Sequence, residues 1–330
     1  MIWIAVDAMG GDDAPQHIVD GAVAAVRHFD LGVLLVGRAS GIEAQLGAAD
    51  RQRIRILDTP DAVDMMDPSP ALTLRRKPLA SIKVAADAVA RGEASALVSA
   101  GHTGATVMAA HGAFGMLPGV DRPALAAVIP TRRKPALLLD VGASVECRPP
   151  HLLQFAVMGS MFARVVYDIA SPRIGLLSIG HEETKGNELT REAHQLLKAA
   201  PVHFIGNVEA RDVYSGNADV IVCDGFTGNV ALKTSEGLVE LVEGLLSEEL
   251  SSTITNIFTR RALRHFRMRV DYSEYGGAPL LGVAGVTIVG HGRSSAKAVR
   301  NAVAMAYRFA TTHFIDRVGQ EIAAAAITGH

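Results

Sequence analysis

Cysteine is scarce in this chain. Its 330 residues include 2 cysteines. Cys147 and Cys223 stand far apart with no C-x-x-C spacing, so neither a disulfide framework nor a cysteine zinc site is indicated. That usage fits a reducing cytosol. Uninterrupted apolar runs long enough to span a bilayer are also missing. Thr103 to Val120 has no acidic or basic residue, but its glycines, Pro118 and His111 make it a poor spanning helix. The opening Met1–Asp7 is too short for a signal h-region and has no basic residues ahead of it, so a soluble, cytoplasmic protein is expected. Charge of one sign is not in excess: the net charge of -2 excludes a general nucleic-acid footprint. Three common nucleotide and nucleophile signatures are absent too. No Gly-x-Gly-x-x-Gly follows a strand with an acidic residue at the right distance, no P-loop occurs, and no Gly-x-Ser-x-Gly elbow is present.

What is present is enough apolar sequence for a sizeable core, 49% of residues. Short apolar runs alternate with helical periodicity. Strands are expected at Ile2–Val6, Leu31–Val36, Ile54–Leu57, in the apolar run that leads from Ala96 into the turn at Gly101, and at Ala124–Ile129, Ala136–Asp140, Arg173–Ile179, Val202–Ile205 and Val220–Asp224. Helices are expected at Pro15–His28, Leu79–Arg91, from Thr103, over Pro149–Tyr167 and Leu189–Ala199, from about Asn229, and over Ser295–Val318. Asp58–Pro78 reads mostly as loop, and Tyr275–Lys297 as a glycine-rich run. This alternation predicts an α/β protein of three α/β/α layers with a mostly parallel sheet, read as one unit over 1–330.

The organising stretch is Ala96-Leu97-Val98-Ser99-Ala100-Gly101-His102-Thr103-Gly104. A strand meets Gly-x-Thr-Gly and a helix follows, a place where unpaired N–H groups and the helix dipole favour an anion. The same unit recurs at Val220–Val230 with Asp224-Gly225-Phe226-Thr227-Gly228. The two turns are expected to lie on one edge of the sheet as two halves of an anion pocket. Other polar loops follow other strands: Asp7–Asp13, Asp140–Ser144, Gly180–Asn187 and Gly206-Asn207. Ligands bind at the carboxyl ends of parallel strands, where these loops gather. His102 sits between glycines at a helix start, where its neutral ring could donate a hydrogen bond. Asp224 precedes a glycine turn and reads equally as a turn cap. Glu182, Glu183 and Lys185 read equally as a charged loop. Either cysteine follows a strand, but a small buried residue is the better reading of both. From Glu236 to about Tyr272 the pattern changes to a helical excursion. In it Arg260, Arg264 and Arg267 share one face while Leu263, Phe266 and Val270 share another. That face reads as solvated, or as a dock for an acidic partner or an anionic membrane.

These segments carry a resemblance over nearly the whole chain. Val6-Asp7-Ala8-Met9-Gly10-Gly11-Asp12, Val98–Ala105, Asp121–Ala126, Leu152–Ser160, Lys185-Gly186-Asn187, Phe204–Glu209, Val222–Asn229 and Asp271–Ala278 resemble the bacterial phosphate acyltransferase family of phospholipid synthesis. Two positions depart from the family pattern, which usually has Asn at both: His102 and Ser144. The resemblance implies a homodimer with a fold like the isocitrate dehydrogenase and phosphotransacetylase group. It implies transfer of a fatty acyl group from acyl carrier protein to inorganic phosphate, on the cytosolic face of the membrane, with product passed to a membrane acyltransferase. On that basis His102, Asp224 and Lys185 are the expected catalytic residues. Asp7, Gly10, Gly11, Gly101, Thr103, Gly104, Ser144, Asn187, Asn207, Gly225, Gly228 and Asn229 are the expected substrate-binding residues. Arg260, Arg264 and Arg267 are expected to bind the carrier protein, and no metal or cofactor is expected. Alternatives remain a short-chain acyl-CoA phosphate acyltransferase, a dehydrogenase of related fold, and a non-catalytic lipid- or phosphate-binding module.

Overall fold

The computed structural model describes residues 1–47, 51–252 and 276–327. The chain begins with β1 (Ile2–Asp7), α1 (Gln16–His28), β2 (Leu31–Gly37), α2 (Ala39–Glu43) and β3 (Ile54–Asp58). It continues through α3 (Pro70–Arg76), α4 (Ser81–Ala90), β4 (Ala96–Ser99), α5 (Thr103–Phe114), β5 (Ala124–Ile129) and β6 (Ala136–Leu139). Then come α6 (Pro149–Tyr167), β7 (Ile174–Ser178), α7 (Glu188–Ala199), β8 (Phe204–Glu209), β9 (Val220–Val222) and α8 (Gly225–Ser252). The described chain closes with β10 (Ala278–Leu281), β11 (Val286–Val289), α9 (Ala296–Thr311) and α10 (Phe314–Ile327).

All the described strands join one sheet in the order β3-β2-β1-β4-β11-β10-β5-β6-β9-β7-β8. Two parallel blocks flank its middle. β3, β2, β1, β4 and β11 run one way, and β6, β9, β7 and β8 are parallel among themselves. Between the blocks lie three antiparallel pairings, β11 with β10, β10 with β5, and β5 with β6. An odd number of reversals leaves the two blocks pointing in opposite directions. The glycine turns after β4 and β9 therefore leave from opposite ends of the strands, which corrects the expectation of a shared edge.

Residue alternation places the core on both faces of the sheet. Ile4, Val6, Leu137 and Leu139 belong to one buried cluster with residues of α1, α6, α9 and α10. Ala5, Leu97, Leu138 and Ile221 belong to the other, with residues of α3, α4 and α5. Ala231 and Leu232 of α8 pack against that second cluster. The three-layer architecture follows, since the sheet is apolar on both sides.

Four local expectations change. The glycine-rich run after residue 275 holds two central strands, β10 and β11. Their apolar runs are only 4 residues each, too short to register against the surrounding glycines. The expected final helix divides between α9 and α10, and His313 between them takes a left-handed φ of 50°. Asp58–Pro78 contains α3, opened by Pro70 at its first position. The second Gly-x-Thr-Gly does not precede a helix but begins one, and α8 runs on for 28 residues through the acidic stretch from Glu236. The remainder of the excursion to residue 272, with Arg260, Arg264 and Arg267, lies outside the described residues.

Candidate active site

Two buried aspartates organise the two glycine turns. Asp7 ends β1 beside β4, and the Ser99 hydroxyl donates to its Oδ2 at 2.8 Å while Met9 N–H donates to Oδ1 at 3.2 Å. Gly101 N–H in turn donates to Ser99 Oγ at 3.0 Å. Gly10 must lack a side chain here, because a Cβ would stand 2.6 Å from Asp7 Oδ2 and 2.7 Å from Gly101 N. Asp7, Gly10 and Gly101 thus form one packed corner, with Gly11, Thr103 and Gly104 adjoining it in the chain. Burial pushes the Asp7 carboxyl above the usual carboxylate range, opposed by its hydrogen bonds to Ser81 and Ser99.

Asp140 plays the equivalent part in the second block. Leu125, Gly142 and Ala143 N–H groups donate to its Oδ1 at 2.7, 3.0 and 3.0 Å, and Ser144 N–H donates to Oδ2 at 2.6 Å. Burial again raises its pKa, against these four backbone bonds. Gly225 and Gly228 pack onto this loop. A Cβ on Gly225 would lie 2.6 Å from Asp140 Oδ2, and one on Gly228 would collide with the Asp140 carbonyl oxygen. Their role in the structure is close helix–loop packing. Asp224 caps α8, accepting from Thr227 N–H at 2.8 Å and from Thr227 Oγ1 at 2.7 Å. Ser144 donates from Oγ to the Pro123 carbonyl at 2.8 Å.

His102 is likewise committed to the fold. Ala105 N–H donates to its Nδ1 at 3.3 Å, so Nε2 carries the proton and reaches the Asp67 carbonyl at 3.1 Å. The ring caps α5 and ties the turn to the 64–69 loop. Both ring nitrogens are engaged within the protein, so the ring's one N–H is already spent where a substrate donor was expected. Lys185, Asn187 and Asn207 gather elsewhere, around the loop after β7. Asn187 caps α7 by accepting from Thr190 N–H at 2.9 Å. The buried Asn207 bonds His194 Nδ1 at 2.8 Å and donates to the Glu182 carbonyl at 2.9 Å. Lys185 is exposed in the same loop.

The two blocks meet across a cavity of about 530 Å³. It lies over the middle strands, in the gap between the start of α5 and the flank of α8. Gly101, Thr103 and Gly104 line one side, and Asn229, Leu232 and Lys233 of α8 line another. Leu125, Ala127 and Val128 of β5, with Ala278 and Val289, give it an apolar floor. Its polar rim is Asp12, Glu236, His291 and Arg293. The first turn thus shares one space with the flank of α8, the helix that grows from the second turn, while Gly225 and Gly228 themselves do not line it. A second cavity, of about 450 Å³, lies by Ala94, Ser95 and Val286, at the starts of β4 and β11 and away from both turns. His181, Glu209 and Asp212 form the one cluster among the described residues able to hold a metal ion, and none of the three lines the 530 Å³ cavity.

Neither thiol is poised for attack. Burial pushes Cys147 up to about 11 and Cys223 well above the usual thiol range. Both therefore stay protonated at neutral pH, and the thiolate is the nucleophilic form.

The chain matches the family model described as Fatty acid synthesis protein over residues 2–317. It is 50% identical over 326 residues to the phosphate acyltransferase of Heliobacterium modesticaldum, covering 97% of each chain. The chain belongs to the phosphate acyltransferase family. The phosphate acyltransferase of Pelotomaculum thermopropionicum is 46% identical over 331 residues, covering 99% of this chain and 96% of its own. In fold the chain is similar to a phosphotransacetylase from Streptococcus pyogenes, with a TM-score of 0.66, 18% identity and 94% coverage of both chains. It is also similar to a branched-chain phosphotransacylase from Enterococcus faecalis, with a TM-score of 0.59 and 14% identity, covering 94% of this chain and 99% of that one.

In this member of the acyltransferase family, the cavity sets an apolar floor beside a polar rim. Sequence reasoning missed Asp140, Lys233, His291 and Arg293 as functional candidates. Lys233 follows Asn229 by four positions and shares its helix face, a spacing that could have exposed it. His291 and Arg293 stood in a glycine-rich run to which no chemistry was assigned.

Proposed function

We propose that the chain transfers a long-chain fatty acyl group from acyl carrier protein to inorganic phosphate, giving acyl phosphate. The observation that carries this reading is the 530 Å³ cavity, whose apolar floor adjoins the glycine turn and a rim bearing Lys233, His291 and Arg293. A phosphate oxygen attacks the thioester carbonyl, the C–O bond forms, and the C–S bond breaks. The proton lost from hydrogen phosphate leaves on the carrier's thiol. Phosphate is already anionic at neutral pH, so it needs position more than a strong base. Holding it against the thioester replaces a rare encounter by a local one. N–H groups at the start of α5, where a helix has no intrahelical acceptors for them, suit the oxyanion that develops. Direct attack needs no acyl-enzyme, in keeping with two protonated thiols.

The carrier protein, a homodimer and work at the cytosolic membrane face beside a membrane acyltransferase belong to the same proposal. No described helix is long and apolar enough to cross a membrane. Arg260, Arg264 and Arg267 are proposed to meet the acidic carrier, several weak pairs steering its approach. Charge reversal at all three should raise the KM for carrier-bound donor and leave that for phosphate unchanged.

The deciding experiment supplies purified protein with phosphate and either long-chain acyl carrier protein or short-chain acyl-CoA. Acyl phosphate from the first donor in preference supports the proposal. Preference for short-chain acyl-CoA overturns the donor, and no acyl phosphate from either overturns the reaction.

A further inference from the structure

On the cavity wall formed by α8 and the loop after β11, two nitrogen groups face each other. Lys233 Nζ lies 3.3 Å from His291 Nε2. The other ring nitrogen fixes the tautomer, because the Arg293 backbone N–H donates to His291 Nδ1 at 3.2 Å. A neutral imidazole that accepts at one nitrogen carries its proton on the other. Nε2 therefore turns an N–H toward the Lys233 ammonium. Two donors cannot bond each other. Burial first, and then the charge of Lys233, lowers the His291 pKa, so the ring is neutral at pH 7 and the arrangement persists. Glu236 accepts from Lys233 and stands near the ring, beyond hydrogen-bond length from it. Its Oε2 lies 2.8 Å from Lys233 Nζ and 3.9 Å from His291 Nε2.

We propose that Lys233 and His291 form the subsite for inorganic phosphate, and that the Glu236 carboxylate holds its place until phosphate displaces it. This rests on the reading of phosphate as acyl acceptor. A carboxylate supplies one negative charge to the pair, whereas hydrogen phosphate brings about two and three strong acceptor oxygens. Arg293 lies on the same rim with its guanidinium paired to Glu240 Oε1 at 2.8 Å, so its charge is largely balanced there. Asp12 and Glu236 are the acidic groups of the lining. Glu236 is thus a competitor for the site, and its removal should help phosphate rather than harm it. Gly101, Thr103 and Gly104 line the same cavity, so an anion held on this wall shares the space with a carbonyl at the start of α5.

The test is steady-state kinetics at saturating acyl donor. Lys233→Met and His291→Phe should each raise the phosphate KM about tenfold or more, the scale of one charge-assisted hydrogen bond. The donor KM should stay within about twofold. His291→Gln keeps an N–H donor at the side-chain tip and should recover most of the loss. Glu236→Gln should lower the phosphate KM severalfold, a gain that misfolding cannot produce. Wild-type phosphate KM in Lys233→Met and His291→Phe, or a raised one in Glu236→Gln, overturns the subsite. If the wild-type protein forms no acyl phosphate at all, the reaction is wrong and calorimetry with inorganic phosphate decides the subsite. Binding heat lost in Lys233→Met then supports it, and equal affinity in both proteins overturns it.

Discussion

Replacing Asp140 by asparagine tests whether the second block is held by hydrogen bonds or weakened by a buried charge. The change conserves shape and exchanges one oxygen for NH2. The amide oxygen should stay on the side of Leu125, Gly142 and Ala143, since the other orientation orphans three donors instead of one. The new NH2 then faces Ser144 N–H, which donates at 2.6 Å in the wild-type protein. An unsatisfied buried donor costs about 1–3 kcal/mol, and three bonds that lose charge assistance add about 0.5–1 kcal/mol each. Against this, the amide escapes the desolvation that raises the Asp140 pKa. Four N–H groups around one carboxylate should outweigh that relief, leaving a loss of about 2–4 kcal/mol. Urea unfolding should show a lower midpoint at unchanged slope, with a thermal midpoint lower by about 3–6 °C for a chain of this size. A loss below about 1 kcal/mol, or a gain, would refute the view that the carboxylate organises this loop.

Three further outcomes follow from the same geometry. Cys147→Ser and Cys223→Ala should keep phosphate-dependent turnover, with no acyl-enzyme seen by mass spectrometry; a trapped acyl adduct on either cysteine contradicts direct attack. His102→Ala should lower stability by about 1 kcal/mol through loss of the α5 cap while His102→Asn retains it, and neither should change the phosphate KM; a fall in kcat of about a hundredfold for His102→Ala alone would restore the ring as an oxyanion donor. Asp7 has a folded-state pKa above its unfolded one, so its protonation favours the folded state. Its contribution is fully present below the usual carboxylate range and is lost as pH rises through the raised value. Asp7→Asn should remove that part of the pH dependence, read as the difference between the two proteins' stabilities across this window; identical pH profiles contradict the shift.

The amino-acid order by itself determined what depends on near neighbours. The bounds of α6 are those expected, Pro149–Tyr167, because two prolines open it and an uninterrupted helical period sustains it. Strand–helix alternation determined the layered α/β class, and the glycine turns after β4 and β9 were visible as units. Lys185, Asn187 and Asn207, expected as site residues from polar loop chemistry, stand around the loop after β7 and do not line the cavity. Tertiary structure alone decided how the two blocks face each other. Strand direction rests on which distant segments pair, and β10 and β11 supply two of the three reversals from runs too short to announce themselves. It also decided which polar groups meet. Ser99 reaches Asp7 across 92 positions, and Lys233 reaches His291 across 58. Hydrophobic period is a local property and leaves such pairings open, whereas packing two sheet faces under helices fixes them.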